Sequence, residues 1–114
     1  MLNRERLDQL FALRAAAKAE ERQVDAEFTR RYGFDPFDRE ASEIAGRHWV
    51  VERWAELRDA KPAIIAYEEA DRALAPDERQ ALWGMVELEW GFETPPPLDL
   101  LMDLLEVRQR HGTH

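Results

Sequence analysis

The chain has 114 residues, no cysteine and a formal net charge of −8. That length suits one domain with a single core, and the lack of thiols excludes disulfides, cysteine nucleophiles and cysteine-ligated metal centres, so a cytoplasmic location is expected. Acid in such excess repels phosphates and anionic lipid, which argues against direct nucleic-acid or membrane-surface binding.

No stretch approaches the roughly 18 apolar residues of a membrane span, and charges interrupt every apolar window of MLNRERLDQLFALRAAAK, unlike a signal peptide. The acid is also unevenly spread. Residues 63–97 hold eight acids against two bases, whereas residues 1–32 hold six against seven. Either this region meets a basic partner or it serves to keep a small protein in solution.

Taken in chain order, Asn3 is placed to cap a helix beginning at Arg4. Leu7, Leu10, Ala17, Val24, Phe28 and Tyr32 then keep to one stripe for about seven turns, and Gly33 supplies a stop. Their spacing lies nearer 3.5 than 3.6, as for a helix lying along another in coiled-coil fashion. Arg14 and Glu21 interrupt the seam and read as edge positions or register-setters.

The turn Gly33-Phe34-Asp35-Pro36 directs the next helix back antiparallel, with Asp35 as its cap and Pro36 as its first residue. Phe34 and Phe37 should staple this turn. The second helix, 36–60, is apolar on two sides: Phe37, Ala41, Ile44, His48, Val51 and Ala55 form one stripe, and Val50, Trp54 and Leu57 another. A helix of that kind is expected to be sandwiched between neighbours.

Pro62 ends it and opens a third helix, Ala63–Leu74, with Ile64, Tyr67, Ala70 and Leu74 inward and Asp71 on the apolar stripe in need of a polar partner. Ala75-Pro76-Asp77-Glu78 turns into a fourth helix expected to run to Trp90 and stop at Gly91. Leu82, Met85 and Val86 give its core face, and Trp83 and Trp90 share an edge. After the stiff Thr94-Pro95-Pro96-Pro97 spacer, the last helix, LDLLMDLLEVRQR, has a core stripe of Leu98, Leu101, Met102 and Leu105 and a second apolar side of Leu100, Leu104 and Val107. That second side suggests self-association or a partner surface. The tail His111-Gly112-Thr113-His114 reads as frayed.

The expected fold is therefore a single all-α domain, 1–114, of about five helices, with a long antiparallel helical hairpin (4–32, 36–60) packed against three shorter helices.

Chemistry is sparse. His48 has Glu52 one turn on, a pair able to ligate a metal or orient an imidazole, but a metal needs more ligands and no Glu-x-x-His repeat occurs. A packed core histidine is the simpler reading. His111 and His114, three apart, suit only adventitious metal, and Ser42 lies on a different side of the helix from His48. No glycine-rich phosphate loop is present. No catalytic residue, metal or cofactor is assigned.

Four tryptophans are many for this length, and Trp anchors interfaces when it is not core. The expected partner-binding residues are Trp49, Trp83 and Trp90, with Glu87 and Glu89 beside them and Leu100, Leu104 and Val107 on the last helix. These features favour a non-enzymatic acidic protein-binding module. It would be an adaptor or inhibitor docking on a larger basic, possibly nucleic-acid-handling assembly, such as a phage or mobile-element inhibitor of host machinery. A homo-oligomeric structural protein, for example a homodimer, and a small metal-binding protein or enzyme centred on His48 are the alternatives.

Overall fold

Asn3 begins the first helix as its side chain implies: the Arg6 N–H donates to Asn3 Oδ1 at 2.8 Å, satisfying one of the amides that a helix start leaves open. The structure, a computed structural model, describes residues 2–111. Among them are six helices and no strand: α1 (Arg4–Tyr32), α2 (Arg39–Ala45), α3 (Arg47–Arg58), α4 (Pro62–Ala73), α5 (Pro76–Val86) and α6 (Leu98–His111). The fold is all-α, with a long first helix against which shorter ones pack. Gly112, Thr113 and His114 of the tail read as frayed lie outside the described residues.

The chain divides into two compact units. One is Ala12–Glu69; the other joins the residues up to Phe11 with those from Ala70 onward.

In the first unit, Ala17 and Val24 of α1 and Ile64 of α4 are buried together, with Trp54, Leu57 and Tyr67 half-buried against them. Trp49 stacks edge-on against Tyr32 and Phe28, at centroid distances of 5.0 and 6.5 Å. Five residues further on, the Trp54 indole N–H donates to Asp25 Oδ1 at 2.9 Å. As numbers rise along α3, their partners fall along α1, so the two run antiparallel, as expected. Pro62 begins α4 without a capping side chain of its own. Glu20 of α1 takes that place: Ala63 and Ile64 both donate their N–H groups to its Oε1, at 2.6 and 3.1 Å. A carboxylate there satisfies two open amides and faces the positive end of the helix dipole.

The continuous second helix is not found. Asp35 is no helix cap; its Oδ1 accepts from the Phe37 N–H at 2.8 Å within the turn. Pro36 belongs to the same turn and is buried. Asp38 caps α2 instead, accepting from the Ala41 N–H at 3.1 Å. Helical geometry then breaks at Gly46, where φ is +97° and ψ 109°, a conformation that side chains strongly disfavour. An isolated glycine inside a helical pattern is a weak breaker by itself, so the periodicity ran straight through it.

The break also overturns the expected sandwich. Val50 is buried and Trp54 and Leu57 half-buried, so their stripe faces the core. The other stripe stands in solvent: Ile44 is 83%, Phe37 70% and Val51 61% exposed. Arg14, read as an edge position or a register-setter, is buried.

In the second unit, Leu7 and Leu10 of α1, Leu74, Leu82 and Val86 around α5, and Leu98, Leu101, Met102 and Leu105 of α6 are buried. The α5 and α6 helices pack against each other. Glu78 accepts from the Ala75 N–H at 3.1 Å at the start of α5 and meets Arg6 Nε at 3.4 Å. Asp71 finds the partner it needed in Arg79, 2.5 Å away.

α5 ends four residues before Trp90, at Val86, and Gly91 is not its stop. Glu87 adopts the left-handed conformation, with φ 53°, and its N–H donates to the Trp83 carbonyl at 3.2 Å. Arg108 of α6 accounts for the early end: it donates to the Met85 carbonyl at 2.5 Å and meets Glu87 Oε2 at 3.0 Å. A cation bonded to a terminal carbonyl stabilises a helix C-terminus where it stands. Met85, expected in the core, is exposed.

Candidate docking surface

The aromatic residues singled out by the sequence fall in both units, Trp49 in the first and Trp83 and Trp90 in the second. Trp49 is half-buried in the Phe28–Tyr32–Phe34 cluster of the first unit, with the Arg53 guanidinium 5.8 Å from its ring centroid. Trp83 is half-buried and donates its indole N–H to the Leu88 carbonyl at 2.9 Å. Trp90 lies beyond the end of α5, so the helical edge it was to share with Trp83 does not exist. Its ring meets Phe92 at 5.4 Å, while its buried indole N–H has no hydrogen-bond partner among the described residues.

Glu87 is occupied by Arg108 at 3.0 Å, and Glu89 is exposed. On α6, Leu100 and Leu104 are half-buried and Val107 is exposed. Little of that helix's second apolar side is therefore left open.

His48 is not a core histidine. Its side chain is 91% exposed, and its Nε2 lies 2.9 Å from Glu52 Oε1, the expected one-turn pair. No group of three His, Cys, Asp or Glu side chains that could hold a metal ion occurs among the described residues. The Ser42 hydroxyl is buried and donates to the Pro36 carbonyl at 2.9 Å, a structural bond that ties α2 to the turn before it.

Sequence reasoning missed a groove of about 450 Å³ on the first unit, beside the exposed stripe of α2 and α3. Pro36, Phe37, Val50, Val51 and Trp54 make its apolar wall. Ser42 contributes its already bonded hydroxyl, and the remaining lining residues are Arg39 and Arg47. Two guanidiniums and no carboxylate thus line an apolar depression in a protein of net charge −8. Arg39 has only a loose i,i+4 contact, 3.9 Å to Glu43, with both side chains exposed; exposed pairs of this kind hold a side chain weakly.

A second recess on the same unit differs in kind. Its charged lining residues are Glu27, Arg31, Arg53, Glu56 and Lys61, and carboxylates stand against the guanidiniums inside it, Arg31 meeting Glu27 at 2.9 Å and Arg53 meeting Glu56 at 2.5 Å. The Arg39/Arg47 groove, by contrast, has cations and no carboxylate in its lining. Its only trace in the sequence was Gly46 within an otherwise helical run, flanked by Arg39 and Arg47.

In comparisons with known proteins, no family model, no curated protein and no solved structure matches this chain.

Proposed function

We propose that the protein is a non-enzymatic protein-binding module whose docking face is the groove and exposed stripe of α2 and α3. The observation that supports this is the exposure of Phe37 in the turn before α2, Ile44 on α2 and Val51 on α3, with Phe37 and Val51 lining an apolar depression. Single exposed apolar residues are ordinary, whereas a contiguous set around a recess is what partner surfaces look like. The two guanidiniums set the chemistry of the occupant: an apolar segment carrying carboxylates, whose charge the groove complements.

A second reading, docking on a basic surface, draws on a different region. Phe92 is exposed between Glu89 and Glu93, so an aromatic ring stands out among acids. An acidic adaptor or inhibitor of a basic, nucleic-acid-handling assembly would use that segment.

The test of the first reading is an NMR titration with an amphipathic peptide of Leu, Phe and Glu, and with a control in which every Glu is Lys. The acidic peptide is expected to shift the amides of Ile44 and Val51 and the Trp54 indole signal, and to bind at least about tenfold more tightly than the control. Absence of shifts at these positions with both peptides would overturn it.

A further inference from the structure

Resting on the groove reading, we infer that its occupant is the segment Leu88–Glu93 of a second copy of this chain. The groove asks for an apolar segment with acid and no base, and Leu-Glu-Trp-Gly-Phe-Glu is such a segment. Within it Phe92 is 67% exposed, Glu89 and Glu93 are both exposed, and no residue is basic. It lies outside regular helix, between the left-handed Glu87 and the prolines 95–97. Its side chains can therefore enter a recess without a helix having to unwind.

Charge complementarity selects this pairing over a contact between like surfaces. Two grooves placed face to face would oppose Arg39 and Arg47 to their own copies, and two acidic segments would oppose Glu89 and Glu93 to theirs. Groove against segment sets opposite charges together and puts the exposed Phe92 ring against the wall of Phe37, Val51 and Trp54. The contact is heterologous, so it propagates from copy to copy until a ring closes or the chain ends. A single aromatic anchor and a few charges bury less than a standard interface, which places the association in the micromolar range or weaker.

The experiment pairs two variants of the full chain, Val51→Glu in the groove and Phe92→Ser in the segment, in sedimentation velocity from about 10 µM to about 1 mM. Both positions are exposed, and circular dichroism checks that both variants fold. Wild type is expected to gain mass with concentration, and each variant alone to remain a single chain. An equimolar mixture of the two is expected to form a species of two chains and stop there, because one copy keeps an intact segment and the other an intact groove.

A wild type that stays monomeric throughout overturns the inference, as does a variant that self-associates like wild type or a mixture that does not associate. The acidic peptide titration separates this failure from that of the groove reading. A monomeric wild type that still binds the peptide loses only the second copy, whereas one that binds neither loses both.

Discussion

Leu101 and Met102 of α6 are fully buried, whereas Ile44 and Val51 of α2 and α3, comparable in apolarity and also set at helical spacing, stand mostly in solvent. Both regions show two apolar sides in sequence. In α6, one side is closed over by residues of its own unit, with Leu82 and Val86 of α5 buried alongside it, and Leu100 and Leu104 of the other side are half-covered as well. In α2 and α3 one side reaches the α1 core through Val50, Trp54 and Leu57, and the other is left open. An apolar stripe states that a face can be buried; it does not state what will cover it.

The sharpest way to break this contrast is Leu101→Ala. Removing a fully buried leucine should cost about 2–5 kcal/mol, read as a lower urea midpoint with an unchanged slope. A cost below about 1 kcal/mol would mean that α6 is not the packed helix of the pair.

Gly46→Ala tests the device that separates α2 from α3. A methyl group there would meet only the Trp49 Cβ, at 3.9 Å, so the penalty arises from the backbone at φ +97°. Destabilisation of about 1–3 kcal/mol is expected. Unchanged stability with a gain in helical circular dichroism would instead show that the two helices can fuse into the continuous one the periodicity suggested.

The smallest effect is expected of Ile44→Ser. At 83% exposure the side chain has little burial to lose, and the unfolding free energy should change by no more than about 0.5 kcal/mol. A loss above about 1 kcal/mol would show that Ile44 is covered after all and that the open stripe is core.

Much of the architecture was legible because local signals were strong. Asn3, Gly33 and Pro62 mark helix ends, and the Leu98, Leu101, Met102, Leu105 stripe lies where its spacing places it. Asp71 on an apolar face called for a partner and has Arg79. The split at Gly46 is a local backbone conformation, whereas other differences arise from contacts made over long sequence distances. Arg108 lies 21 residues beyond Glu87 and holds the end of α5, so Trp90 could not be placed from the helical wheel. Glu20, 43 residues before Ala63, caps α4, and no local pattern announces it.

The expected site was legible only as residue types. Trp49 is large and apolar in either a core or an interface, and its position beside Phe28 and Tyr32 puts it in an aromatic cluster of the first unit. The groove arises where one of the two stripes expected to be covered is left open: the stripe with more apolar residues faces outward, and the one with Trp54 faces the core.

By itself the sequence determined that the chain is helical, where most of its helices begin, and that α1 and α3 run antiparallel, because caps, prolines, short turns and 3.6-residue periodicity act over a few neighbouring residues. Only the tertiary structure decided which apolar faces are covered and that Arg39 and Arg47 share a recess whose lining holds no carboxylate. Burial and ion pairing depend on residues distant in the chain, such as Asp25 bonded to Trp54 and Glu20 bonded to α4, and no local pattern encodes those meetings.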